Sequence, residues 1–219
     1  MSTFRFAIMG AGNIAHQFCD AVTLVEDCEV SAIASKDLGR AQKFAEECSV
    51  AHAYDNYEQM LIEEKPDCVY IAVTPNDHFR LTMLCLEHHV PVLCEKAMFT
   101  NSAEAKAVFE KAEKDQTFVM EAMWSRFLPA VNQAKKWAAE GKIGRLEALQ
   151  GRIGFLAPEG ADNRYHSPLL CGGAATDITV YAYEIATWLV NEPVRKTYAA
   201  ANLDQTGVDL TDQVTVKFE

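Results

Sequence analysis

The sequence has no C-x-x-C pair, no internal repeat, and no uncharged apolar run of the ~20 residues that a membrane span needs. Its seven cysteines (Cys19, Cys28, Cys48, Cys68, Cys85, Cys94 and Cys171) are an odd number scattered along the chain. That does not look like a disulfide framework. Cys68, Cys85 and Cys94 sit inside apolar runs, where a free thiol behaves as a small hydrophobe, so reduced cysteines in a cytoplasmic protein are expected. Met1 to Met9 shows no cationic segment leading into a secretory apolar core, which fits the same compartment. The His and Cys residues lack zinc-ligand spacing, so no metal is expected. Positive charge is also scarce, with 20 Lys+Arg against 31 Asp+Glu, a net charge of −11. An acidic surface repels phosphate backbones and anionic lipid, which argues against nucleic-acid and membrane partners and leaves room for a local basic site holding one small anion. What is present is ordinary: 219 residues, 49% hydrophobic and 23% charged, enough for one large soluble domain or two smaller ones.

Hydrophobic patterning divides the chain near residue 125. Over residues 1–124, short apolar runs alternate with helical periodicity. Strands are expected at Phe4 to Met9, Glu29 to Ala34, Cys68 to Val73, Val90 to Cys94 and Phe118 to Met120. Helices are expected at Asn13 to Leu24, Leu38 to Glu47, Phe79 to His88 and Ala103 to Lys114. Such alternation gives a doubly wound parallel sheet. Over residues 125–219 the rhythm changes. A helix at Leu128 to Glu140 precedes a strand-like run at Leu146 to Phe155 and a polar loop at Ala157 to Cys171. A helix at Ala174 to Leu189 and strands at Lys196 to Asn202 and Gln213 to Glu219 follow, an α+β pattern with an open, mostly antiparallel sheet.

Gly10-Ala11-Gly12-Asn13-Ile14-Ala15 fits G-x-G-x-x-A between the first strand and the first helix. The first glycine allows the tight turn, the second lets a pyrophosphate approach the backbone, and the alanine lets helix pack on strand. The helix N-terminus then favours the anion. An NAD site would usually place Asp or Glu at the end of the second strand to hold the ribose diol. Here that strand ends Ala34-Ser35-Lys36-Asp37, with Arg40 one turn on. A hydroxyl and two cations suit a 2′-phosphate, so NADP is favoured, with NAD retained as an alternative because Asp37 could reach the ribose.

Together with that turn, Ile71-Ala-Val-Thr-Pro-Asn-Asp-His78, Val92-Leu-Cys-Glu-Lys96, Glu121-Ala-Met-Trp-Ser-Arg-Phe127 and Gly172-Gly-Ala-Ala-Thr-Asp-Ile-Thr-Val-Tyr181 resemble the Gfo/Idh/MocA oxidoreductase family over essentially the whole chain. The look is that of its dihydrodiol and aldose dehydrogenase branch. The resemblance implies a Rossmann domain at 1–124, a substrate and oligomerisation domain at 125–219, and hydride transfer between NADP(H) and a polyol, aldose or cyclic diol. It implies Lys96 as the group taking the hydroxyl proton, with Asp177 orienting the hydroxyl and Tyr181 relaying the proton. Asp177 and Tyr181 are four residues apart on an expected helix and so share a face. It further implies that Thr74, Pro75, Asn76, His78, Glu95, Trp124 and Arg126 line the cofactor, beside Gly10, Ala11, Gly12, Asn13, Ile14, Ser35, Lys36 and Arg40. Two positions depart from the family pattern, Ala97 for proline and Thr179 for glycine. They sustain a second reading, a nucleotide-binding regulator on the same scaffold. Gln213 to Glu219 alternates with Val214, Val216 and Phe218 on one face. The chain stopping inside that strand predicts further strands in a longer polypeptide, or a homo-oligomer, such as a dimer, formed through the second-domain sheet.

Overall fold

A computed structural model describes residues 3–158, 160 and 163–219. Part of the expected loop at Ala157 to Cys171 (Glu159, Ala161 and Asp162) and the first two residues of the chain lie outside the described residues. The chain divides into two compact units, Met1–Ala122 and Met123–Glu219.

The first unit is a six-stranded parallel sheet. Its strands are β1 (Phe4–Met9), β2 (Cys28–Ala34), β3 (His52–Tyr54), β4 (Cys68–Ile71), β5 (Val92–Cys94) and β6 (Val119–Glu121), in the order β3-β2-β1-β4-β5-β6. The direction of winding reverses between β1 and β4, the switch point at which such sheets open a crevice beyond their carboxyl ends. Alternation along the central strand feeds the two faces. Ala7 and Met9 pack with Met60, Leu61, Leu81 and Cys85 on one side, whereas Ile8 packs with Ala15, Cys19, Ile33 and Phe44 on the other. Both layers are dry, so the thiols are hard to ionise: burial pushes Cys68 up to about 12.

The connecting helices are α1 (Asn13–Val22), α2 (Leu38–Cys48), α3 (Tyr57–Glu64), α4 (His78–Glu87) and α5 (Ser102–Lys114). Their starts follow side-chain chemistry. Asp37 accepts from Arg40 N at 2.8 Å, Asn56 from Gln59 N at 3.0 Å, and Asn101 from the amides of Ala103 and Glu104 at 3.0 Å each. Only three residues make β3, too few to show as an apolar run, and α3 is eight residues with three glutamates. Neither is among the elements expected from the apolar pattern. The legible signal was Asn56 followed by Tyr57, Met60 and Leu61, a cap and a buried i, i+3, i+4 stripe.

The second unit holds α6 (Pro129–Ala139), α7 (Val180–Val190) and a hairpin of β7 (Val194–Leu203) with β8 (Asp209–Phe218), antiparallel and in one register from Lys196↔Lys217 to Asn202↔Thr211, with a shift at each end. Two expectations are corrected here. Leu146 to Phe155 is not a strand. Gly151 and Gly154 interrupt it, removing side chains that a strand would pack and raising the entropy cost of order. Among the described residues it donates or accepts no ladder hydrogen bond. The helix expected from Ala174 begins instead as a π-helical turn, Ala175–Thr179, before continuing as α7. Its lead-in explains the two glycines. A Cβ on Gly172 would lie 2.4 Å from the Arg164 carbonyl oxygen, and Gly173 has φ +114° with Asp209 Oδ1 2.2 Å from where its Cβ would be. Asp209, from β8, accepts from Ala175 N at 2.5 Å and thereby caps this helix from a distance of 34 residues.

Candidate functional site

In the first unit the expected cofactor residues all follow strand ends on one edge of the sheet. The register Met9↔Ala34, Met9↔Ile71 and Ile71↔Cys94 aligns those ends. Gly10 N donates to Ala34 O at 2.8 Å, Ala72 N to Met9 O at 2.8 Å and Glu95 N to Ile71 O at 2.9 Å. The turn Gly10–Ile14, the segment Ser35–Arg40, the turn Thr74–Asp77 and the pair Glu95–Lys96 therefore rise side by side.

The two glycines of the turn serve different ends. Gly10 has φ +110°, and a Cβ there would sit 2.8 Å from the carbonyl carbon and oxygen of Ala72. The fold itself demands glycine at that position. Gly12 is extended (φ −100°), and its Cβ would meet only Ala72 O at 3.9 Å. Nothing in the fold demands glycine there; the space its missing side chain leaves is open. Unlike α2, α3 and α5, helix α1 has no side-chain cap. Among the described residues, the amides of Gly12, Asn13 and Ile14 have no protein acceptor. Three free N–H groups beside an open glycine fit the pyrophosphate of a dinucleotide, and the exposed Ile14 offers apolar surface next to them.

At the end of β2, Ser35 is buried and its Oγ accepts from Asp37 N at 3.4 Å. Asp37 is engaged in capping α2. Lys36 Nζ binds Asp77, and Arg40 reaches Ala11 O at 3.4 Å. After β4, Thr74 precedes a 3-10 turn begun by Pro75, with Asn76 exposed. His78 is fully buried. Its Nδ1 lies 3.0 Å from Ala97 O and its Nε2 3.0 Å from Val73 O, so the ring ties the β4 turn to the segment carrying Lys96. Burial lowers its pKa, the carbonyls of Val73, Ala97 and Met98 opposing.

Glu95 turns back onto the sheet. Its Oε1 accepts from the Tyr70 hydroxyl and its Oε2 from Lys96 N at 3.1 Å. Burial raises its pKa against those two bonds. The carboxylate thus holds the main chain of Lys96, which is half-buried, and the Lys96–Ala97 peptide is cis.

The second unit brings Trp124 and Tyr181 together across 57 residues, Trp124 Nε1 donating to the Tyr181 hydroxyl at 3.0 Å. Asp177 lies on the π-helical turn, its Oδ1 3.1 Å from Arg164. It borders an open groove of about 1430 Å³ between the hairpin and residues 149–157. Arg126 binds Glu184, a carboxylate only 7% exposed that also accepts from Ser125 Oγ at 2.7 Å, and its guanidinium stacks over Trp188. Its observed partner is therefore a buried structural charge. Thr179 donates to Asp212 at 2.8 Å, a use for the hydroxyl where the family pattern has glycine. Sequence reasoning missed Asp77, Glu184, Asp209 and Asp212, all of which act on partners remote in sequence.

Residues 4–123 match the family model described as oxidoreductase family, NAD-binding Rossmann fold, and residues 131–219 match the model of the GFO/IDH/MocA C-terminal domain. The chain belongs to the Gfo/Idh/MocA family. Trans-1,2-dihydrobenzene-1,2-diol dehydrogenase of Mus musculus is 31% identical over 98% of this chain and 65% of its own length. The Homo sapiens protein of the same name is 30% identical over 97% and 63%. The chain thus spans slightly under two thirds of these relatives. Among solved structures, a 3-ketoreductase variant from Actinomadura kijaniata, in complex with TDP-benzene and NADP, superposes with a TM-score of 0.90 at 22% identity, over 99% of this chain and 67% of that one. Scyllo-inositol dehydrogenase from Lactobacillus casei, with NAD(H) and scyllo-inositol, gives 0.79 at 14% identity over 100% and 67%. Among the described residues no helix is long and apolar enough to cross a membrane, and no cluster of three metal-ligating side chains occurs.

Proposed function

We propose that this chain carries the cofactor-binding and proton-transferring parts of an NADP(H)-dependent oxidoreductase acting on the CH–OH group of a polyol, aldose or cyclic diol. The observation that carries the reading is the edge of the first unit. Three unpaired amides and the open face of Gly12 lie beside the β2 end, where Ser35, Lys36 and Arg40 supply a hydroxyl and two cations while Asp37 is occupied as a helix cap. A ribose diol would ask for a free carboxylate there; a 2′-phosphate asks for cations.

The nicotinamide, when bound, supplies the hydride acceptor or donor. The remaining work falls to this chain. Lys96 Nζ takes the hydroxyl proton, and Glu95, by holding Lys96 N, fixes the main chain from which that amine projects. Asp177 orients the hydroxyl. Tyr181 relays the proton, its phenol held by Trp124. The names of the relatives support a diol or related polyol as the substrate class.

Reduction of NADP⁺ and NAD⁺ against a panel of sugars, inositols and cyclic diols tests the reading. Turnover with NADP⁺ and at least one such substrate is expected. Tight dinucleotide binding with no turnover on any of them would replace the enzyme by the regulator reading.

A further inference from the structure

Asp77 lies within the Ile71–His78 segment but has no role in the proposed function, yet it binds Lys36 on the cofactor edge. It closes the 3-10 turn after β4 and precedes α4. One carboxylate oxygen binds Lys36 Nζ, from the end of β2, and the other lies 3.3 Å from Arg80 Nε. Arg80 in turn stands over the Tyr57 ring, 5.9 Å from its centre. Asp77 is only 16% exposed, whereas Lys36 is 67% exposed. The carboxylate is therefore the more buried member of the pair, and the lysine the exposed one. Burial would raise the Asp77 pKa, but the bonds and charges of Lys36 and Arg80 outweigh it and hold the group below the ordinary carboxylate range. It is an anion at neutral pH.

We propose that Asp77 is a specificity-determining residue for the adenosine ribose, a built-in anion that competes with a 2′-phosphate for Lys36 and so sets how strongly the site prefers the phosphorylated dinucleotide. The inference rests on the 2′-phosphate reading of Lys36 and deepens it. Any second anion that Nζ takes comes within a few ångströms of the carboxylate already bound there, and like charges at that separation repel appreciably even near the surface. A ribose diol carries no charge and escapes this penalty. The carboxylate thus acts against the 2′-phosphate and is indifferent to its absence, a repulsive element of the kind by which sites discriminate. Arg80 holds Asp77 from the far side, so the anion stays in place when Lys36 leaves it.

The test is calorimetric titration with adenosine 2′,5′-bisphosphate and with 5′-AMP, probes that differ by the phosphate in question and need no turnover. Asp77→Asn should tighten the bisphosphate about tenfold, some 1.4 kcal/mol, and leave 5′-AMP within about twofold. In Asp77→Asn with Lys36→Met the gain should vanish. Asp77→Ser, which removes the charge without introducing an amide, guards against a local effect of the asparagine and should behave alike. The proposal is overturned if Asp77→Asn leaves the bisphosphate unchanged or weakens it, or if the gain persists without Lys36. The parent reading is judged separately, by the wild type. A wild-type protein that binds both probes equally refutes the NADP preference, while a shift of the ratio on substituting Asp77 still upholds the competition.

Discussion

Replacing Gly10 and Gly12 each by alanine separates a fold requirement from a ligand requirement within one turn. At Gly10 the new Cβ must accept φ +110°, worth about 1–3 kcal/mol of backbone strain. It must also displace backbone atoms of Ala72 that stand 2.8 Å away, together with Val73 Cγ1 at 2.9 Å. Backbone at the centre of a parallel sheet yields poorly, and overpacking of this kind costs roughly another 1–3 kcal/mol. Gly10→Ala should therefore lose about 2–6 kcal/mol of stability, read as a lower urea midpoint at unchanged m-value. Gly12→Ala meets ordinary contact at 3.9 Å and an allowed φ of −100°. The reduced freedom of its unfolded chain and the poorer N-cap roughly cancel, so its midpoint should move by less than about 0.5 kcal/mol. Its Cβ instead fills the space beside the unpaired amides. Titration with NADPH should show affinity falling by more than about tenfold, the loss of close backbone approach to the pyrophosphate. A Gly12→Ala protein that is fully stable and binds NADPH as tightly as wild type would refute the reasoning.

Three further outcomes follow from the same geometry. Lys96→Met should cut kcat by about a hundredfold or more, the low end of what general acid–base catalysis supplies, with NADPH affinity within a few-fold; Tyr181→Phe should lower kcat less, and an unchanged rate would make it a packing residue. Because burial raises the folded pKa of Glu95, wild type should lose stability as pH rises from the ordinary carboxylate range through that raised value. Urea midpoints of Glu95→Gln should lack this slope, and a gap between the two proteins that stays constant with pH would contradict it. Arg126→Met strands the buried Glu184 carboxylate and should cost roughly 2–4 kcal/mol, most of it restored by Arg126→Met with Glu184→Met; unchanged stability with weakened cofactor binding would instead return Arg126 to the cofactor.

How much could be read beforehand depended on whether a feature was local. Strands β1, β2 and β4 are legible because burial on both faces leaves apolar runs at residues 6–9, 32–34 and 68–71, and their loops mark the edge where ligands bind. Caps such as Asp37 and Asn101 lay within three residues of the amides they satisfy. The features that went unread are non-local. Asp209 caps a helix 34 residues earlier, Glu184 takes Arg126 across 58, and Lys36 finds Asp77 across 41. Nothing in the spacing of those residues signals such pairs. Leu146 to Phe155 failed in the opposite sense: its apolar pattern was strand-like, but a strand exists only when a neighbour supplies its ladder.

The central claim, a dinucleotide edge tuned to the 2′-phosphate, is tested most directly by titrating the wild-type protein with NADPH and with NADH in the same buffer at physiological salt, following nicotinamide fluorescence. The account predicts saturable binding of both, with NADPH at least about tenfold tighter. NADH binding as tightly as NADPH or more so, or no binding of either, would contradict it.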